Sequence, residues 1–286
     1  METILCLTDY KANSDQTFLF ALHLARHLQA QLVCAHFFEA PVPTTVEEED
    51  ENASSRAGKL RSPAPNERHN AELQRLKAFV KTYSGDALTG MEIRYLVAGG
   101  SPLEHIPSLS KEYDLGLMVM GMRNRARLAE RLFGTLARKM IDKTPCPLLL
   151  VPPEASFKAV RRIVYATDFG YKNLNAIELL LRWSEALDSQ LHLVHVSEDP
   201  EDNPWAASQM EKIKHTYQTD NEAERMQFSI LEGELQAALE RFAETVQSDV
   251  IALTTHTRGY WEKWMASSLA KDLAEEVEIP LLVFRE

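Results

Sequence analysis

Glycines flanking a basic run are the feature of this sequence best suited to hold a phosphate. Residues 121–135, GMRNRARLAERLFGT, follow the apolar run LGLMVM. Gly121 frees the backbone of a Cβ where a strand must turn. Arg123 and Arg125 add positive charge, and Gly134-Thr135 opens a helical segment, GTLARKMIDK, whose first amides and hydroxyl suit an anion. A plain strand-to-helix turn uses glycine in the same place without any ligand. Two aspartates, Asp9 and Asp168, stand where apolar strands ILCLT and IVYAT end, and they belong to the same rim.

Histidines and cysteines add little chemistry. His36 and His195 sit among apolar strand residues with no ligand cluster nearby, which reads as a structural role. His256 lies in the second loop of this kind and is the better candidate for ligand contact. Cys6, Cys34 and Cys146 lack metal-ligand spacing and read as buried thiols in a reducing cytoplasm. No P-loop, nucleophile elbow, zinc-protease helix or full dinucleotide turn is present, so the chain does not read as an enzyme.

The elements that must position these residues occur twice. Asp9 and Asp168 are 159 positions apart, as are His36 and His195. Gly100 and Gly233, Gly121 and Thr254, Gly134 and Ser267, and Pro147 and Pro280 are each 133 apart. The 26-residue difference falls on PVPTTVEEEDENASSRAGKLRSPAPN, a Pro-, Ser- and acid-rich run expected to form a mobile surface loop over about 41–66. Each half alternates five short β-branched or Leu-rich runs with amphipathic segments, such as Phe18, Ala21, Leu22, Ala25 and Leu28. The expectation is an α/β fold of two doubly wound, mostly parallel five-stranded domains, 1–152 and 160–286, joined near 152–160.

Composition narrows the function classes. Hydrophobic residues make up 45% and charged residues 26%, ordinary for a globular chain. A net charge of −11 speaks against nucleic acid as a partner. The first apolar run is too short to span a membrane, so no membrane association is expected.

The paired halves resemble the universal stress protein family in its tandem form. Its nucleotide-binding members carry Gly-x-x-Gly, nine residues, then Gly-Ser or Gly-Thr after the fourth strand, with an Asp ending the first strand. The first half has Gly121-Met122-Arg123-Asn124, nine residues, Gly134-Thr135, and Asp9; the second has Thr254-Thr255-His256-Thr257, nine residues, Ser267-Ser268, and Asp168. Asn124 replaces one glycine but tolerates positive φ, whereas the second half has lost all three glycines.

The resemblance implies a cytoplasmic stress-response protein with an adenine nucleotide, ATP with Mg, as regulatory ligand of the first half. Asp9 would contact the nucleoside and Phe37 would flank the base. Gly121, Arg123, Asn124, Gly134 and Thr135 would wrap the ribose and phosphates. Asp168, Val196, His256, Ser267 and Ser268 would form the degenerate second copy. Slow hydrolysis stays open, and so does a ligand-independent scaffold of the same fold. The last strands, CPLLLVPP and IPLLVFRE, are apolar. In the family such strands pair single domains, so intramolecular pairing of the halves is expected, with a homodimer as the further arrangement.

Overall fold

The computed structural model describes residues 2–11, 13–39, 65–85, 91–122, 135–153, 155–169, 173–197, 199, 201, 203–217, 225–255 and 279–285. In the first half β1 (Thr3–Thr8), β2 (Gln31–Phe38), β3 (Ile93–Gly99), β4 (Leu115–Gly121) and β5 (Leu148–Val151) alternate with helices. These are α1 (Ser14–His27), α2 (Pro65–Ser84), α3 (Pro102–Glu112) and α4 (Thr135–Lys143). The second half runs β6 (Arg162–Ala166), α5 (Asn173–Leu187), β7 (Gln190–Ser197), α6 (Asn203–Tyr217), β8 (Met226–Glu232), α7 (Leu235–Thr245), β9 (Val250–Thr255) and β10 (Leu281–Arg285). The helix expected between β9 and β10 and most of the expected mobile loop lie outside the described residues. That loop ends sooner than expected, because Pro65 and Asn66 already belong to α2; proline suits a first helical turn, whose amides have no partner to lose.

One sheet of ten strands has the order β3-β2-β1-β4-β5-β10-β9-β6-β7-β8. Within each half every pairing is parallel, and the two halves have the same order. The order in which strands are added across the sheet reverses between β1 and β4, and between β6 and β9, and a crevice opens beyond the strand ends at such a point. β5 and β10 pair antiparallel, with Leu148, Leu149 and Leu150 opposite Val283, Leu282 and Leu281. Pro147 and Pro152 lack the N–H a ladder needs and bracket β5 at four residues.

Both faces of the sheet are buried, as parallel strands require. One face joins Phe18, Ala21, Leu22 and Ala25 of α1 and Leu76 and Val80 of α2 to Ile4, Cys6, Leu32 and Cys34. Leu28, the last of the expected stripe, is only partly buried. The other face joins Ile106 and Leu109 of α3 and Met140 and Ile141 of α4 to Leu5, Val33, Met118 and Leu148. All three cysteines are free and buried. A hydrogen bond with Cys6, then burial, push the Cys34 thiol well up.

The turn into α3 shows how the repeat is built. Gly100 at φ 101° and Gly233 at φ 116° occupy the left-handed region glycine favours. Each donates its N–H back to the preceding strand pair, to Phe38 O at 2.9 Å and Ser197 O at 3.1 Å. Ser101 and Glu104 then close a capping box on α3, and Glu234 caps α7 through Ala237 N–H.

Burial lowers the pKa of two histidines. Burial, then Arg162, lowers the pKa of His192 from its ordinary 6.5, and its Nε2 has no hydrogen-bond partner. Burial, then His27 and Arg26, lowers His23 in the same way. As pH falls through the ordinary imidazole value, the unfolded chain binds protons that the folded chain excludes, so stability decreases on acidification. The urea midpoint is expected to drop between about pH 7.5 and about pH 5.5, and to drop less in His192→Gln. The same slope in that variant would remove His192 from the account.

Candidate functional site

Register brings three of the expected site residues to one rim. Thr8 pairs with His36, and Leu7 pairs with Met120. Asp9, the residue after β1, Phe37, the last but one of β2, and Gly121, the last of β4, therefore lie side by side at the switch point. Phe37 is partly buried on the α3 side, with its ring 5.1 Å from that of His105. His105 in turn donates through Nε2 to Gly99 O at 2.9 Å. Thr135 is the first residue of α4. Arg123, Asn124 and Gly134 lie outside the described residues.

Asp9 also organises the turn that follows it. Its Oδ1 accepts from Lys11 N–H at 3.1 Å and from the Ser14 hydroxyl at 3.2 Å, the short-range bonding by which Asp nucleates turns. Lys11 Nζ lies 3.8 Å from Oδ2 in an exposed pair, which contributes little in water. Tyr10 and Asn13 take the left-handed conformation at φ 60° and 77°. Asn13 then donates from Nδ2 to Val151 O at 2.8 Å, fastening the start of α1 to the end of β5.

Gly121 has a role that spacing alone does not reveal. Its φ is not positive. A Cβ there would fall 2.7 Å from Thr17 Oγ1 and 3.3 Å from Asn13 Nδ2. Thr17 cannot swing aside freely, because its hydroxyl donates to Asn13 O at 2.7 Å and the side chain is fully buried. The glycine thus lets α1 approach β4, in addition to any ligand it admits.

In the second half the same contact is filled from the other side. The position of Gly121 is Thr254, and that of Thr17 is Ala176. Thr254 Oγ1 lies 2.7 Å from the hydroxyl of Tyr165, which stands where the first half has Cys6. Asp168 follows β6, and Val196 is buried in β7 beside Leu231. His256, Ser267 and Ser268 lie outside the described residues.

The strand histidines are parts of a repeated clasp. His36 Nδ1 donates to Thr8 O at 2.8 Å, and His195 Nδ1 to Thr167 O at 2.9 Å. Each ring packs against a left-handed aromatic, Tyr10 at 4.2 Å and Phe169 at 4.7 Å. In the first half Glu72 Oε2 lies 3.7 Å from His36 Nε2, and Arg75 lies over the Tyr10 ring at 4.4 Å. Sequence reading missed Tyr10, Asn13 and Thr17. The pairing of Tyr10 with Phe169 at the repeat offset was the available signal for the first of them.

The sequence profile of the Universal stress protein family matches residues 1–152 and again 159–285. The chain belongs to the universal stress protein family. Among its relatives, the universal stress protein YxiE of Bacillus subtilis is 28% identical over 134 residues, covering 46% of this chain and 85% of the relative. A universal stress protein structure from Archaeoglobus fulgidus superposes with a TM-score of 0.68 at 16% identity, over 99% of this chain and 96% of that one. A putative universal stress protein from Pseudomonas aeruginosa gives 0.61 at 17% identity, over 100% and 93%. At these identities the two structures speak for the fold, and the doubled family match fits its two five-stranded halves.

The helix-to-strand contact of this family member is open to a direct test. Gly121→Ala is expected to destabilise by about 1–3 kcal/mol through overpacking, and Thr17→Ala should recover much of that loss. Denaturant midpoints of the two single variants and the double variant measure the coupling; strict additivity would show that the two residues do not compete for space.

Proposed function

We propose that the first domain, 1–152, binds an adenine nucleotide, ATP, as a regulatory ligand at the rim beyond β1 and β4. The second domain, 160–286, serves mainly as its pseudo-symmetric partner. The observation that carries the reading is the register that sets Asp9, Phe37 and Gly121 side by side at a topological switch point. The base lies beside Phe37 and the nucleoside meets Asp9. By the family pattern, Arg123, Asn124, Gly134 and Thr135 surround the ribose and phosphates.

The α4 N-terminus, beginning at Thr135, supplies first-turn amides of the kind phosphates seek. Among the described residues no three His, Cys, Asp or Glu side chains group to hold a metal ion. Magnesium would therefore arrive on the ATP phosphates, with Asp9 as the rim carboxylate. The degenerate copy comprises Asp168, Val196, His256, Ser267 and Ser268; at its β9 end Thr254 carries a side chain where Gly121 has none. This is a binding protein of the cytoplasm rather than an enzyme. Among the described residues no helix is long and apolar enough to cross a membrane. The β5–β10 ladder supplies within one chain the pairing that a homodimer of single domains makes between chains.

Two observations favour a second reading, a scaffold without nucleotide. The Asp9 carboxylate is engaged by its own turn, and the approach of Thr17 accounts for Gly121. Calorimetric titration of the full chain with ATP separates the readings. One site is expected, with affinity reduced at least about tenfold in Arg123→Ala/Gly134→Asp and unchanged in Ser267→Asp. Equal affinity in the double variant sinks the nucleotide site; protein that neither copurifies with ATP nor binds added ATP is the scaffold.

A further inference from the structure

The internal duplication supplies a template for a second binding site. Residues 155–160, leading from β5 to β6, lie along α1 in the first half. Phe157 donates its N–H to Gln16 Oε1 at 3.2 Å. Its ring meets Phe20 edge-on at 4.9 Å and stacks flat on His23 at 4.0 Å and 12°. Ala155 and Val160 are buried beside it. At the repeat offset of 159, Gln16, Phe20 and His23 become Asn175, Leu179 and Arg182 of α5.

On α5 those same three positions face a cavity of about 550 Å³. Ala176, Thr254, Phe284 and Arg285 continue its wall from the second half, Cys146 and Pro147 border it from the first, and it stays open to solvent on one side. The volume falls in the range of small-molecule sites, about 300–1,000 Å³. Thr254 is shared with the degenerate copy of the nucleotide site, but neither Asp168 nor Val196 lines the cavity, so it adjoins that copy without coinciding with it.

Charge identifies the occupant. Two guanidiniums, Arg182 and Arg285, line the cavity against one carboxylate, Glu2, in a chain of net charge −11. Glu2 Oε1 lies 3.8 Å from Arg182, in an exposed pair. Arg285 has no carboxylate partner among the described residues. Arg182 replaces His23 at the position on which the Phe157 ring is stacked, and guanidinium planes accept aromatic rings in the same manner. We propose that this cavity binds a small planar aromatic anion, its ring against Leu179, Phe284 and Arg182 and its acidic group on Arg285.

Anilinonaphthalene sulfonate, an aromatic anion, is the probe, and phenylnaphthylamine is its uncharged counterpart. Fluorescence titration of the full chain is expected to give one saturable sulfonate site. Its affinity should fall at least about tenfold in Arg285→Ala, and similarly in Ala176→Phe, which fills the cavity. The uncharged dye should bind more weakly to the parent protein and be indifferent to Arg285→Ala. Should Ala176→Phe fail to fold, Arg285→Ala decides alone, since that side chain is exposed. Parent affinity for the sulfonate in Arg285→Ala overturns the proposal, as does equal affinity for the two dyes. Gly134→Asp should leave this binding untouched, which keeps it distinguishable from the ATP reading.

Discussion

The antiparallel ladder of β5 and β10 sets the geometry of the molecule. Both strands are short, apolar and last in their half, and an unpaired strand of that kind is a template for aggregation. Pairing Leu148, Leu149 and Leu150 with Val283, Leu282 and Leu281 removes both exposed edges at once. Because every other pairing is parallel, this one reversal points the carboxyl ends of the two sets of strands toward opposite edges of the sheet. The end of β10 at Arg285 is thereby carried to the start of β5 at Cys146 and Pro147, which is why residues so far apart in sequence line one cavity.

Behind the ladder, the working distances are those between helix and sheet. Asn13 ties α1 to Val151, Thr17 fixes how close α1 comes to β4, and Asp9 folds the turn that starts the helix. The rim where a nucleotide would sit is thus the top of a packed joint. A substitution aimed at ligand contacts there also tests packing, so stability must be measured alongside affinity.

Much of the fold was legible before any coordinates. Strands repeat in fixed register, and their apolar runs match the near-continuous pattern of two-sided burial. The rim was legible as well, since strand ends follow from strand identity and the switch point follows from topology. What escaped were contacts made across long stretches of chain by ordinary residues. Thr17 against Gly121 and Phe157 against Gln16 are separated by more than a hundred positions, and no local pattern distinguishes them from other helix and linker residues. Tyr10 and Phe169 escaped for a different reason: bulky aromatics are poor candidates for positive φ, and each packs against a strand histidine that lies 26 positions further along the chain.

The exchange of Gly121 and Thr17 for Thr254 and Ala176 also constrains how the halves diverged. If the duplicated ancestor had the glycine and threonine, there are two single-step routes to the present second half. Gaining the strand side chain first would have set two threonines in one space, a clash between backbone-anchored atoms. Shrinking the helix residue first would have left a small void, the milder of the two defects, which the new threonine then filled while reaching Tyr165. On that route the helix changed before the loop, and packing permitted the loss of this glycine.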